Sequence, residues 1–153
     1  MIFERLSQVG RSEGINFKYG GKTGNTRDSH RLVQLGKTKS PEMQTRVVEE
    51  LFAAYFENEQ DITSHEVLHE AAVKAGLERS EVDDWLNSDK GGKEVDAEVE
   101  VAKRSSINGV PNFTVNGQYE VGGAQDSAVF LKLFEQIKTS QAQSPAGGEG
   151  QMC

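Results

Sequence analysis

Apolar residues recur at helical spacing along most of the chain and predict a series of amphipathic helices. Residues 1–13 carry the first such stripe, and Gly14 ends it because glycine can adopt positive φ. Ser40 followed by Pro41 predicts a helix start, since serine can cap free backbone N–H groups and proline fits the first helical position. The helix that follows carries a broad apolar stripe: Val47, Val48, Leu51, Phe52, Tyr55 and Phe56.

Further helices are predicted between residues 25 and 105. Their caps are predicted to be side chains that accept backbone hydrogen bonds: Asn25 or Thr26, Thr63 or Ser64, and Ser80 with Asp83 in the manner of a capping box. Gly76 is expected to end the second of them. Apolar residues on these helices should form a core, and we expect Trp85 and the phenylalanines to belong to it.

The pattern changes from helical spacing to alternation after Ile107. Phe113–Val115 and Gln118–Val121 flank Asn116-Gly117, and this dipeptide between two alternating runs predicts a β-hairpin, because both turn residues need positive φ. A last amphipathic helix follows, giving ββα. A two-stranded hairpin is marginal alone in water, so we expect the first strand to pair with further strands or with another chain in an oligomer.

Composition narrows the classes of function. Lysine and arginine number 17 against 24 aspartates and glutamates, for a net charge of −7, and an acidic surface disfavours nucleic acid as a partner. The apolar runs fall short of the roughly 18 residues that a membrane helix needs, so no membrane association is expected. Cys153 is the single cysteine; we expect no intrachain disulfide and a cytoplasmic location.

Two segments carry a resemblance to a known family. Ile107–Phe113, with its Gly-Val-Pro, leads into the hairpin, which closes on Gly122–Gln125. Upstream, Gly24–Leu32 reads Gly-Asn-Thr-Arg-Asp-Ser-His-Arg-Leu. In this order the two segments resemble the DsbA-like thioredoxin family, and most closely its FrnE-type intracellular branch. The resemblance extends in order from Phe3 to Ile137.

The resemblance implies a thioredoxin-like α/β fold: a C-terminal ββα with an inserted α-helical domain, and with the first βαβ unit of the family missing. The expected parts are a truncated helix, the helical insertion, the ββα and a disordered tail: residues 1–14, 15–105, 106–140 and 141–153. Pro111 would be the family's cis-proline, and Gly109, Val110 and Pro111 would bind substrate. No catalytic residue, metal or cofactor is expected.

The implied activity is thiol–disulfide exchange on a protein or peptide thiol substrate. The family's Cys-x-x-Cys is absent, so we expect a chain that is redox-incompetent alone. Two alternatives stay open at this point. One is a non-catalytic module that binds a partner by strand addition, and the other is a relative of the glutathione-dependent isomerases and transferases, with glutathione as the ligand.

The string His65-Glu66-Val67-Leu68-His69 literally matches H-E-x-x-H, which in zinc proteases places two histidine ligands on one helix face. Such a site also needs a third ligand, and no histidine follows His69. Glu94 or Asp89 could supply one, with Glu66 as the general base. We favour a solvated helix face over this zinc site.

Overall fold

A computed structural model describes residues 2–105, 107 and 109–143, without the side chains of residues 142 and 143. The described residues form helices and one small sheet, in this order: α1 (Ile2–Ser12), α2 (Arg27–Lys39), α3 (Pro41–Phe52), a π-helix (Ala53–Glu57), α4 (His65–Ala75), α5 (Arg79–Leu86), α6 (Gly92–Arg104), β1 (Asn112–Val115), β2 (Tyr119–Gly122) and α7 (Ser127–Gln143). The chain divides into two compact units, residues 1–101 and 102–153. We call them the helical unit and the hairpin unit. The domain boundaries expected from the sequence stay predictions.

The helical unit is built around one apolar core contributed by α2, α3, α4 and α5. Its largest fully buried side chains come from all four helices: Leu32, Leu35, Val47, Leu68 and Val82. Gly36 allows α2 and α3 to approach closely, because a Cβ at this position would lie 3.0 Å from Gln44 Cα. The apolar residues at helical spacing therefore determine which faces of these four helices pack together.

A buried arginine and the single tryptophan connect α2 to the end of α5. The Arg31 guanidinium donates hydrogen bonds to the carbonyl oxygens of Trp85, Ser88 and Lys90. In return, Trp85 Nε1 donates to the Arg31 carbonyl over 2.9 Å. Carbonyl groups at a helix C-terminus lack partners within the helix, so Arg31 acts as the cap of α5 from another helix.

Two predicted helix ends are confirmed. The Ser40 hydroxyl accepts a hydrogen bond from the Met43 N–H over 3.1 Å, with Pro41 at the first helical position. Gly76 ends α4 with φ of 101°, in the left-handed region that glycine tolerates.

The capping box predicted at Ser80 and Asp83 is wrong. The residue before α5 is Glu78, which makes no side-chain capping bond, and Ser80 lies inside the helix. The Glu78 carbonyl accepts from the N–H groups of both Glu81 and Val82. Helix α5 thus begins before Ser80, the residue whose side chain would be the better cap.

The expectation that the phenylalanines belong to the core is also wrong. None of the seven is buried, and the exposed fractions of Phe52 and Phe56 are 57% and 37%. Both lie where α3 passes into the π-helix at Ala53. Phe52 is the last residue of α3, and the wider turn of the π-helix that follows rotates Phe56 away from a regular α-helical stripe. The stripe that begins at Val47 therefore does not stay buried to its end.

The hairpin unit contains the predicted β-hairpin. β1 and β2 are antiparallel, with Phe113 opposite Val121. Asn116 and Gly117 have φ of 52° and 67°, as the Asn-Gly signal requires. Gln118, predicted in the second strand, belongs to the turn, because its N–H donates to the Val115 carbonyl.

α7 follows the hairpin and begins after Asp126, whose side chain accepts a hydrogen bond from the Ala128 N–H over 2.9 Å. Phe113 and Phe130 pack edge to face, with ring centroids 5.1 Å apart. The helix continues to Gln143, beyond residue 140, where the tail was predicted to begin. The rest of the predicted tail and Cys153 lie outside the described residues.

Candidate functional site

The segment Gly109–Pro111 leads directly into β1 and is open to solvent. The exposed fraction of Val110 is 91%, and a Cβ at Gly109 would have no atom within 4 Å. The peptide bond between Val110 and Pro111 is cis. The three residues expected to bind substrate thus form one accessible stretch of backbone.

The hairpin register shows which backbone groups of β1 are free. The Gly123 N–H donates to the Pro111 carbonyl over 2.8 Å, so the backbone of Pro111 faces β2. Backbone groups alternate in direction along an antiparallel strand. Within β1, the N–H and carbonyl groups of Asn112 and Thr114 therefore point away from β2. We call them the outer edge of β1.

The outer edge of β1 has no hydrogen-bond partner in the part of the chain that the structure describes, since the sheet there contains two strands only. β1 has the sequence Asn-Phe-Thr-Val, without a charged residue. Natural edge strands are commonly protected by charges or proline, and here Pro111 precedes the strand. Sequence analysis pointed to Gly109, Val110 and Pro111 but missed Asn112 and Thr114, which follow from the register of the hairpin.

The family of the chain follows from its match to a known sequence model. The sequence model for the DSBA-like thioredoxin domain matches residues 1–135. The chain belongs to this family. A search of curated proteins finds no match to the chain.

Membership of the DSBA-like thioredoxin domain family confirms the resemblance predicted from the sequence. The helices and the small two-stranded sheet are consistent with a thioredoxin-like α/β fold, and the family relates this domain to thiol–disulfide oxidoreductases. The chain has one cysteine, Cys153, which lies outside the matched residues, so the sequence contains no Cys-x-x-Cys. None of the helices among the described residues is long and apolar enough to cross a membrane.

The two histidines of the H-E-x-x-H string are each paired with a different carboxylate. His65 Nε2 lies 3.0 Å from Asp28 Oδ2 on α2, and His69 Nε2 lies 2.9 Å from Asp83 Oδ1 on α5. Asp89, one of the suggested third ligands, pairs with Arg27. Among the described residues no three potential metal ligands come together. The two histidines therefore connect α4 to α2 and to α5.

The His65 pair has a consequence at low pH. Hydrogen bonds from His65, and secondly from Arg31, lower the pKa of Asp28 below its ordinary value of 3.8. The unfolded chain thus binds this proton at a higher pH than the folded one. The ionised carboxylate stabilises the fold above that ordinary value, and this stabilisation is lost as the pH falls through the lower pKa of the folded state.

We expect Asp28→Asn to flatten the dependence of stability on pH. The urea midpoint of the unchanged chain should fall more steeply between about pH 5 and pH 2.5 than that of the variant. The midpoint is measured by far-UV circular dichroism. Asp84→Asn, at an exposed carboxylate on α5, is the control and should follow the unchanged chain. Parallel curves for Asp28→Asn and the unchanged chain would contradict the assignment.

Proposed function

We propose that this domain binds an extended peptide along the outer edge of β1 and serves as the substrate-binding part of a thiol–disulfide exchange site. The observation that carries the proposal is the open backbone at Asn112 and Thr114, which continues from the exposed Gly109–Pro111 segment. An extended peptide can add to such an edge as a further strand. The family membership supports thiol chemistry for the bound peptide.

Hydrogen bonds between the backbones of β1 and the peptide would bind the peptide. The side chains of β1 would determine which peptide residues are preferred. Alternate residues of the peptide would exchange N–H···O bonds with Asn112 and Thr114, next to the exposed Gly109–Pro111 segment. Because β1 is uncharged, we expect a preference for uncharged, β-branched residues beside the peptide cysteine rather than for a charged motif.

The exchange reaction itself needs a thiolate that attacks one sulfur of a disulfide. A new S–S bond forms to that sulfur, and the other sulfur leaves as a thiolate. Since the printed sequence has a single cysteine, we propose that the chain alone is redox-incompetent. The attacking thiol would come from outside this sequence, either from a protein or from glutathione.

We further propose that the domain belongs to the FrnE-type branch. The motif Gly24–Leu32 supports this, since it lies at the start of α2. Asn25 Oδ1 accepts a hydrogen bond from the Arg27 N–H over 2.9 Å, and the Ser29 hydroxyl donates to the Ile62 carbonyl over 2.6 Å. The motif thus organises one end of the helical unit. A reducing compartment such as the cytoplasm stays a prediction from the single cysteine.

Blocking the outer edge should remove peptide binding. In Thr114→Pro the lost N–H belongs to the outer edge and not to the ladder with β2, so the hairpin keeps its bonds. The probe is a fluorescein-labelled peptide of alternating Thr and Val around one S-methylated Cys, followed by fluorescence anisotropy. We expect Thr114→Pro to weaken binding by about tenfold or more, which corresponds to about 1.4 kcal/mol.

Glu120→Pro is the matched control. Glu120 lies opposite Thr114, and its N–H faces away from β1, so proline there alters the other edge of the hairpin. Peptide binding should be unchanged in this variant. Binding lost equally in both variants, or absent from the unchanged chain, would refute the proposed binding edge. Catalysed insulin reduction above the dithiothreitol background would refute only the redox-incompetence.

A further inference from the structure

A cavity of about 430 Å³ opens on the helical unit, between α2, α3 and the loop residues Lys22–Gly24. This volume falls within the range of about 300–1,000 Å³ that is typical of small-molecule sites. Most of its wall is apolar, formed by Val33, Val48, Leu51, Tyr55, Phe56 and Ile62. It lies apart in sequence from the Gly109–Pro111 segment, and the proposed function does not use it.

One wall of the cavity is aromatic. The rings of Tyr55 and Phe56 meet edge to face with centroids 4.9 Å apart, and Phe52 meets Phe56 in the same way at 5.7 Å. The π-helix Ala53–Glu57 carries Tyr55 and Phe56 at the cavity, and Phe52, the last residue of α3, directly precedes it. Phe52 and Phe56 are both exposed. Single π-helical turns occur frequently at functional sites. An exposed aromatic wall of this kind suits a flat, apolar ring.

Three of the four hydroxyl groups that line the cavity have hydrogen-bond partners, and the fourth, on Thr26, makes no capping bond to α2. The hydroxyls of Thr23 and Tyr55 lie 3.4 Å apart and bond to each other. The Ser29 hydroxyl donates to the Ile62 carbonyl over 2.6 Å. A polar ligand would therefore lose its hydration with few new bonds in return.

One lysine, Lys22, lies at the rim of the cavity. The hydrogen bonds from Thr63, and to a smaller extent the charge of Lys22, lower the pKa of the Asp61 carboxyl, so Lys22 already has a carboxylate near it. The wall is mostly apolar, so an ionised group inside the cavity would lose its hydration without a replacement.

We infer that this cavity binds an uncharged aromatic small molecule. The apolar wall would bury the ring system and select against ionised ligands, and the rings of Tyr55 and Phe56 would contact the ligand edge to face. The cavity would then select its ligand by shape and charge, and the ligand would bind without reacting.

The test uses a dye of this class, N-phenyl-1-naphthylamine, whose fluorescence rises in an apolar site. We expect saturable binding of one dye per chain. Val48→Phe extends a ring into the cavity from α3 and should weaken binding by about tenfold or more, since differences of a few methylene groups in an apolar pocket already give factors of this size. Val33→Phe fills the cavity from α2 and should act in the same way, which covers the case in which Val48→Phe does not fold.

Val73→Phe is the matched control. Val73 is an exposed residue on α4 that does not line the cavity, and the same substitution there should leave dye binding unchanged. Circular dichroism spectra of all three variants show whether each one folds.

The charge preference is tested with 8-anilino-1-naphthalenesulfonate, which adds a sulfonate to the same ring system. It should bind about tenfold more weakly than the neutral dye, because the apolar wall does not replace the hydration of a sulfonate. Equal or tighter binding of the sulfonate would overturn the inferred ligand class.

Neutral-dye binding that is absent, unsaturable or insensitive to both Val48→Phe and Val33→Phe would overturn the site. Binding that is lost instead in Leu6→Arg would place the dye in the neighbouring cavity beside Ile15 and Phe17, and would also overturn it. Thr114→Pro should leave dye binding unchanged, so failure of the dye site and failure of the peptide-binding edge are told apart.

Discussion

Arg31→Met is expected to lower the free energy of unfolding of the helical unit by about 3–5 kcal/mol. Arg31 is 3% exposed, and its guanidinium donates to the carbonyls of Trp85, Ser88 and Lys90 and to Asp28. Methionine keeps much of the length and apolar volume of the side chain but donates nothing. The substitution removes four hydrogen bonds from a charged donor, and such bonds contribute about 1.5–3 kcal/mol each. The Trp85 carbonyl keeps its bonds from Ser88, and Asp28 keeps its bond with His65, so the total loss stays below the sum.

Arg27→Met is the matched control, four residues earlier in the same helix. Arg27 is about one-third exposed, with a side-chain exposure of 35%, and pairs with Asp89 and Asp96 over 3.1 Å and 2.9 Å. Water and salt screen such pairs, so this loss should be much smaller. Urea unfolding followed by far-UV circular dichroism gives both values. An equal loss of unfolding free energy in the two variants would show that the hydrogen bonds from Arg31 to the backbone carbonyls contribute no more than the exposed pairs of Arg27.

Leu68→Ala should destabilise the helical unit by about 2–5 kcal/mol. Leu68 is fully buried in the core between α2, α3, α4 and α5, and its truncation removes apolar contacts and leaves a cavity. The urea midpoint reports the change. Leu6→Ala, at a residue of α1 that is 44% exposed, should have a clearly smaller effect. A loss at Leu68 no greater than at Leu6 would contradict the position of the core.

The best-predicted features are those determined by a few neighbouring residues. Asn116-Gly117 defines the hairpin because few other residues accept positive φ at both positions. Ser40 and Pro41 define a helix start because both act on the first turn of that helix. The Gly109–Pro111 segment was found by family resemblance, and the hairpin then determines which neighbouring backbone groups are free.

The features that sequence analysis missed depend on contacts between distant residues. Phe52 and Phe56 continue the apolar stripe of α3, yet both line a cavity, Phe52 at the end of α3 and Phe56 in the π-helix that follows. Arg31 would be expected on a solvated face, and its burial follows from the carbonyl groups at the end of α5. Neither the π-helical turn nor the distant acceptors leave a periodic signal in the sequence.

The reciprocal bond between Trp85 and Arg31 makes the single tryptophan of the sequence a reporter of one unit only. Trp85 is partly buried against the core of the helical unit, and its indole nitrogen depends on the carbonyl of α2. Its emission spectrum should shift to longer wavelength when α2 and α5 separate. Opening of the hairpin alone should leave the spectrum unchanged, so intrinsic fluorescence isolates the helical unit in any mixture of partly folded states.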